Sequence, residues 1–311
     1  MKNKKVLVAV LAAVLITATV IGGLWFAGFF KLTPMKLARR SMKELAKVQS
    51  FDSDVRIEYE GTIAFMGNDV DFSLISDCNL KGVVGTGTTY MNGTMGTKLP
   101  ILGELSVPVE VYQQYRDTGM VTYTRFRNSD WLVNEVQPVQ VPEGGARFNL
   151  DYKVVLGIMQ KISEGEMKAE LAEETEQLRG QEVYRMDISV TGELIREIVQ
   201  ALTASQGNNA ALPDDFDISD GDAAIRLYIF KETRLPAKLV IDCTALGRAV
   251  IRNLLKNSAA GESVSTGTNS FVITADVLAY NTIDEITIPQ EVISSAVKPE
   301  QFDLLSIFMG K

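Results

Sequence analysis

The heptapeptide Asp54-Val55-Arg56-Ile57-Glu58-Tyr59-Glu60 alternates strictly, with Val55, Ile57 and Tyr59 apolar and the four residues between and around them charged. Side chains of a strand point to opposite faces in turn, so a period of two marks a half-buried antiparallel strand with one wet face. The same signal recurs at Phe72 to Leu80, Val109 to Tyr115, Met120 to Arg127, Glu182 to Val190, Ile225 to Lys231, Lys238 to Ala245 and Phe271 to Tyr280. Several of these runs are joined by short turns rich in Gly, Asn or Pro, such as Thr233 to Pro236. Their number and spacing predict a large meandering sheet.

Helical periodicity interrupts the sheet in a few places. Tyr152 to Ser163 carries Val155, Leu156, Met159 and Ile162 on one stripe, and Gly192 to Thr203 carries Leu194, Ile195, Ile198, Val199 and Leu202. Leu246 to Lys256 reads as a further helix, although its β-branched residues leave a strand continuation open. Two polar connections, Ala204 to Asp222 and Asn257 to Asn269, are long enough to act as lids. No repeat period, low-complexity block or linker divides the region after Phe51, so one domain is expected there.

The N-terminus has a different character. Lys2, Lys4 and Lys5 precede 25 uncharged residues from Val6 to Phe30. As a helix these span roughly 37 Å against a hydrocarbon core of about 30 Å. A cleavable signal peptide normally has a shorter apolar core ending at small residues, whereas this run continues through Leu24, Trp25, Phe26, Phe29 and Phe30, so an uncleaved signal anchor is expected. Thr33 to Gln49 then reads as a helix, with Thr33 as N-cap, Pro34 at the first helical position and Met35, Ala38, Met42, Leu45 and Val48 as its apolar stripe. Lys36, Arg40, Lys43 and Lys47 share another face, which suits anionic headgroups and equally suits an ordinary solvated surface. The count of basic residues on the two flanks favours a cytoplasmic body, but long domains translocate largely regardless of charge, and the n-region argues for an extracytoplasmic one. The expected organisation is an n-region at 1–5, a transmembrane anchor at 6–30, a juxtamembrane basic helix at 31–50, a sheet-and-helix domain at 51–296 and a tail at 297–311.

Composition removes many functions. The 311 residues include no histidine and two cysteines, which excludes Ser-His, Cys-His and His-ligated metal mechanisms. From Phe51 onward there are 22 basic and 38 acidic residues, a net charge of −16, which repels phosphate backbones and argues against a nucleic-acid partner. The acidic run Asp214 to Asp222 lacks the spacing of a calcium loop, since Asp215, Asp217 and Asp220 would fall at positions 1, 3 and 6 and Arg226 at 12. The stretch Gly82 to Thr89 has neither the Lys of a phosphate-binding loop nor a dinucleotide glycine order, and reads as a strand edge and turn. Glu173 and Glu174 are sequence neighbours that diverge, unsuited to shared acid and base work. The sequon at Asn92-Gly93-Thr94 has meaning only in a eukaryotic secretory pathway. No catalytic constellation, metal site or cofactor is predicted.

Three local patterns carry a resemblance: Leu45-Ala46-Lys47-Val48-Gln49-Ser50-Phe51 entering a strand, Trp131 after the strand end at Asn128-Ser129-Asp130, and the turn Leu235-Pro236-Ala237-Lys238. Together with the closing Ile286-Thr287-Ile288-Pro289, they make residues 35 to 296 similar to the outer-membrane lipoprotein carrier, or LolA-like, superfamily and its envelope lipoprotein relatives. The resemblance implies an α+β fold in which a strongly curved antiparallel sheet, a half-barrel, is covered by amphipathic helices around an apolar cavity for acyl chains. A transmembrane anchor replaces the cleaved signal or acylated Cys of many members, which puts a shuttling role in doubt.

Apolar side chains suited to such a cavity, or equally to a plain sheet core, include Phe65, Met66, Phe72, Tyr90, Met91, Met95, Tyr112, Phe126, Tyr123, Trp131 and Tyr184. Face arithmetic on two strands selects Tyr123, Trp131, Tyr184 and Met186 as the residues expected to line the cavity or its mouth. The leading expectation is a non-catalytic, membrane-anchored envelope protein binding an acyl chain, a lipid or a lipidated partner. The alternative is an interaction or sensor module of the same fold with a packed core. Cys78 and Cys243, an even count in an exported domain, suggest a disulfide, with two buried free thiols as the alternative.

Overall fold

A computed structural model describes residues 35–45, 47–65, 68–99, 103–116, 119–136, 168–197, 217–256 and 264–298. Each of the eight strands expected from alternation falls on a strand: β1 (Ser50–Phe65), β2 (Asn68–Val83), β4 (Gly103–Arg116), β5 (Gly119–Phe126), β9 (Gln181–Val190), β10 (Ala223–Phe230), β11 (Pro236–Asp242) and β12 (Val264–Tyr280); β5 and β10 end one residue short of the expectation, and β11 three, because a helix starts at Thr244. Four more strands complete the set: β3 (Thr88–Leu99), β6 (Leu132–Val136), β7 (Lys168–Leu171) and β8 (Glu176–Leu178). They form one twelve-stranded sheet in the order β6-β5-β4-β3-β2-β1-β12-β11-β10-β9-β7, with β8 pairing β9 beside this path. The sheet is open, ending at β6 and β7, and every pairing whose register is described is antiparallel.

Helices are few among the described residues: α1 (Met35–Leu45), α2 (Thr244–Lys256), α3 (Gln290–Ser295) and a helical segment at 192–197. The expected span at 6–30, the expected helix Tyr152 to Ser163 and most of the tail after 298 lie outside the described residues, and no described helix is long and apolar enough to cross a membrane. Helix α1 begins and ends inside the expected Thr33 to Gln49. Its described buried positions are Leu37, Ser41 and Leu45, followed by Val48; Leu45 and Val48 belong to the expected stripe, and the side chains of Met35, Ala38 and Met42 lie outside the described set. Arg40, Lys43 and Lys47 are exposed as expected, Lys47 pairing with Glu44 at 2.7 Å, while the side chain of Lys36 lies outside the described set.

Contacts divide the chain into two compact units. The first comprises Met1–Lys47, Glu58–Ser73 and Leu150–Ile273. Its interior is one face of β9, β10 and β11, where register pairs Met186 with Leu227 and Ile188 with Ile225, and Leu227 in turn with Leu239 and Ile225 with Ile241. Helix α2 supplies Leu246 and Ala249 to this buried set, and the segment 192–197 supplies Leu194. The ambiguous Leu246 to Lys256 is therefore a helix. Asp242 Oδ1 accepts from the Thr244 amide at 2.9 Å at its start, which outweighs the β-branched residues inside it. Asn253 on α2 is almost fully buried because it accepts from the Asp217 amide at 3.0 Å and donates to the Asp217 and Ala249 carbonyls, locking the acidic loop to the helix.

The second unit comprises Val48–Ile57, Leu74–Asn149 and Thr274–Lys311. It is built on β3, β4, β5 and β6 with the adjoining parts of β1, β2 and β12. After β12 the chain passes Ile288 into α3, which lies against β5 and β6: Val121, Tyr123, Trp131, Ile288 and Val292 form a buried cluster. The chain then pairs with the outer edge of β6 through a parallel bridge, Val133 donating its amide to Val297 O at 2.9 Å and Val297 donating to Trp131 O at 2.7 Å.

Candidate ligand-binding site

The four residues expected to line one cavity fall in two different units. Tyr123 and Trp131 belong to the second unit, where they are 4% and 7% exposed under α3. Tyr184 and Met186 belong to the first. Met186 has no exposed surface, so it touches no water-sized space and sits in packed interior. Tyr184, two residues along the same face of β9, is half-buried, with the Arg234 guanidinium 5.2 Å from its ring centroid. Face arithmetic within each strand was correct, since Val121 and Tyr123 are buried together and Met186, Ile188 and Val190 are buried together. What a single strand does not reveal is which faces of distant strands coincide.

In the second unit the two faces of the sheet are chemically opposite. One is polar: Arg56 Nη1 lies 3.3 Å from Asp77 Oδ1, and Asn79 donates to Asp52 at 2.7 Å and Asp54 at 3.1 Å. Farther along this face Arg125 Nε donates to Glu110 Oε2 at 3.0 Å, the Tyr90 hydroxyl donates to Glu110 Oε1 at 3.2 Å, and Tyr112 stands between the Tyr90 and Trp131 rings at 4.6 and 5.7 Å. Arg125 also covers the Trp131 ring at 4.6 Å. Burial and the neighbouring Glu110 carboxylate push the Tyr90 phenol up to about 12. The cavity candidates Tyr90, Tyr112, Tyr123 and Trp131 are thus structural members of a polar-aromatic surface and its α3-covered core.

The other face carries no charged residue from β1 through β5 among the described residues of this unit. It holds Val55 and Ile57 on β1, Leu74 and Cys78 on β2, Met91 and Met95 on β3, and Val107, Val109 and Val111 on β4. Register pairs Met91 with Val111, Gly93 with Val109, Met95 with Val107 and Thr97 with Leu105. Gly93 is required where it stands: a Cβ there would lie 2.6 Å from Cys78 Cα and 2.8 Å from its sulfur, so only glycine lets β2 and β3 approach. Cys78, Val107 and Val109 are buried, yet Leu74, Met95 and Leu105 on the same face are 48%, 38% and 36% exposed. Exposed large apolar side chains clustered on one uncharged surface mark an interaction site more specifically than scattered ones. Of these residues the sequence pointed to Met91 and Met95 but not to Leu74 or Leu105, whose flanks gave no distinctive signal.

Cys78 and Cys243 are both free and buried, the alternative weighed against a disulfide. Cys78 lies in β2 and Cys243 just past β11, and β1 and β12 stand between those strands in the sheet. Cysteines on strands that are not neighbours do not reach the Cα separation below about 7 Å that a bridge needs. Burial raises both thiols, Cys243 to about 12, aided by the adjacent Asp242.

The first unit has one further concavity, of about 470 Å³, on the face of β9 and β10 opposite its core, lined by Glu170, Asp187, Ser189, Arg226 and Asp242 among others. Within it Arg226 Nε donates to Asp187 Oδ1 at 3.1 Å, and Arg185 Nε to Oδ2 of the same carboxylate at 3.0 Å. In the acidic loop Asp217 accepts from the Ser219 amide and hydroxyl at 2.9 and 2.7 Å, Asp220 pairs with Arg252 at 2.7 Å, and Asp222 accepts from the Gly192 amide at 3.0 Å. These carboxylates hold the loop and the start of the helical segment together.

No family model and no curated protein matches the chain. Among solved structures it is similar to lipoprotein LppX of Mycobacterium tuberculosis, at 10% identity over 81% of this chain and 97% of that one with a TM-score of 0.39. It is also similar to LprF of Mycobacterium bovis, at 14% identity over 82% and 95% with a TM-score of 0.35. A protein of the DUF1329 family from Desulfovibrio piger follows at 10% identity over 84% and 94%, TM-score 0.22. All three likenesses are remote.

Proposed function

We propose that the protein is a non-catalytic, membrane-tethered envelope protein that binds an acyl chain, a lipid or a lipidated partner on the apolar face of its second unit. The observation that carries this reading is the uncharged face spanning β1 to β5, on which Leu74, Met95 and Leu105 remain exposed while the opposite face of the same strands holds the ion pairs. A surface that segregates charge so completely is complementary to hydrocarbon. The methionines at Met91 and Met95 add adaptability toward chains of different shape. The tether is the uncharged run from Val6 to Phe30, with the body on the extracytoplasmic side, and the exposed Arg40, Lys43 and Lys47 lie along a helix that follows it closely enough to meet anionic headgroups. The acidic body makes nucleic acid an unfavourable partner.

Native mass spectrometry of the full chain extracted in detergent tests the reading. A mass increment of one or more lipids that survives removal of the micelle is expected. A bare polypeptide mass, unchanged after incubation with added fatty acid, would overturn it and favour the second reading, an interaction module that recognises another envelope protein. That alternative draws on a specific observation: the first unit buries Met186, Leu227, Ile229 and Ile241 with at most 1% exposure.

A further inference from the structure

Register sets Leu132, Thr124, Val111 and Met91 in one row that crosses the uncharged face of the second unit from β6 to β3. Val297 closes the outer end of this row, bridged to Leu132 and held by its two backbone hydrogen bonds to Val133 and Trp131. The residues that follow are therefore anchored at the rim of the face on which Leu74, Met95 and Leu105 are exposed, and they belong to the same unit. Four strand spacings of about 4.8 Å place Met91 about 19 Å from Val297. Met95, farther along β3, lies at about 23 Å, and Leu105 on β4 at about 25 Å, at the rise of a strand. Eight residues separate Val297 from Leu305, which reaches about 26–29 Å when extended.

Composition matches this segment to that surface. In Phe302 to Met309 six of the eight residues are apolar, and the two polar ones, Asp303 and Ser306, are three apart, a spacing that puts both on one side of a helical turn. We propose that the protein's own C-terminal segment docks on the apolar face of the second unit, with Leu305 and Phe308 against Met95 and Leu105 and the tether at Val297. The opposite face is a worse partner. Helix α3 already takes its β5–β6 end, and beyond that it presents Arg125, Glu110 and Asp77, which an apolar segment would strip of water. Anionic headgroups are worse as well, because Glu300 and Asp303 lead into the segment and are repelled by them. A tether of a few residues holds the segment at an effective concentration of about millimolar, so even a modest apolar contact is populated. The docking stands without any ligand. Under the reading above, a lipid reaches this face by displacing the segment.

The test uses the full chain in nanodiscs with the photocrosslinker p-benzoylphenylalanine in place of Phe308, as a mixture of light- and heavy-nitrogen chains, and locates adducts to single residues by fragmentation mass spectrometry. Same-chain adducts on Met95 and Leu105 are expected. Leu105→Arg and Met95→Glu, both at exposed positions, should each cut the adduct yield about ten-fold while keeping the parent's circular dichroism and melting profile. Thr94→Arg, exposed on the opposite face, should leave the yield unchanged. Adducts joining light to heavy chains would assign the segment to a second copy, adducts on lipid would assign it to the bilayer, and adducts on Tyr90 or Arg125 would put it on the charged face. Each of these overturns the proposal, as does a yield that survives both Leu105→Arg and Met95→Glu or an absence of adducts on the apolar face. None of these outcomes bears on lipid binding, which the native mass spectrum reads separately.

Discussion

Replacing Gly93 by Ala places a methyl group where β2 passes closest to β3. The added Cβ would lie 2.6 Å from Cys78 Cα and 2.8 Å from its sulfur, and it also meets the Asp77 carbonyl. Carbon atoms prefer about 3.5–4.0 Å, so the strands must part by about 1 Å locally. The obstacle is mostly backbone, which no rotamer change relieves. Overpacking of this kind costs about 1–3 kcal/mol, and weakening about two ladder hydrogen bonds adds about 1–3 kcal/mol. Loss of unfolded-chain freedom returns about 0.4–1 kcal/mol. The net expectation is a destabilisation of about 2–4 kcal/mol, which with a urea dependence of about 1–3 kcal/mol per M moves the midpoint down by about 1–2 M. The chain has two tryptophans, so in a Trp25→Phe background Trp131 alone reports unfolding of the second unit by fluorescence. Gly85→Ala is the control, since a Cβ there meets nothing within 4 Å. A midpoint within 0.3 M of the parent for Gly93→Ala (~0.3 M being the resolution of such a titration), or an equal loss for Gly85→Ala, would refute the close-approach argument.

Met186 has no exposed surface, so Met186→Ala should lose about 2–5 kcal/mol and Met186→Trp about 1–3 kcal/mol, read from denaturant midpoints; tolerance of the Trp would reveal space that the packed face lacks. Arg125→Ala removes the contact with Trp131 and the pairing with Glu110, and should cost about 1–2 kcal/mol and shift the Trp131 emission; an unchanged spectrum would count against that stack. Both thiols are buried and free, so native protein at pH 8 should react slowly with a thiol reagent, denatured protein should titrate two thiols, and gel mobility should not depend on reductant. Because the folded state raises Cys243 from 9.0 to about 12, the unfolded state loses that proton first and stability falls as pH climbs through this window; Cys243→Ala should blunt the alkaline loss, and an equal loss in the variant would assign it elsewhere.

Alternation exposed eight strands because each had a wet and a dry face, and it missed β3 for a physical reason. Thr88 to Leu99 contains Gly93 where an alternating apolar pattern would need a side chain, and Gly93 is glycine because two backbones meet there. The feature that hid the strand is the one that shapes the apolar face. Tyr123 and Trp131, expected to line a cavity or its mouth, are buried, and the residues that bury them were not legible. Their burial depends on Val292 and Ile288, more than 150 positions away, brought over by a segment that leaves β12 and returns to β6. Similarly, Met91 and Tyr90 looked equivalent as apolar residues. Register sets Met91 beside Val111 on the uncharged face and Tyr90 beside Tyr112 on the charged one. On helix α1 the sequence pointed to Leu45 and Val48 but not to the buried Leu37 and Ser41, whose burial only the surroundings of the helix decide.

The bridge between Val297 and β6 also governs how the molecule behaves in a crowd. An outer strand with unpaired amides and carbonyls is a template on which a second sheet can grow. Here the chain's own C-terminal segment takes the first position on that rim, with Val297 joined to Trp131 and Val133. The next rung of a parallel ladder would draw on an amide hydrogen at position 299, where the sequence has proline and none exists. The rim is thus occupied by a strand that ends its own propagation. Cutting the chain before Ile288 removes this plug together with α3, uncovering Trp131 and the edge of β6 at once, and should turn a well-behaved particle into a self-associating one. Shortened versions that precipitate would then be reporting the loss of an edge guard, whatever their ability to hold a ligand.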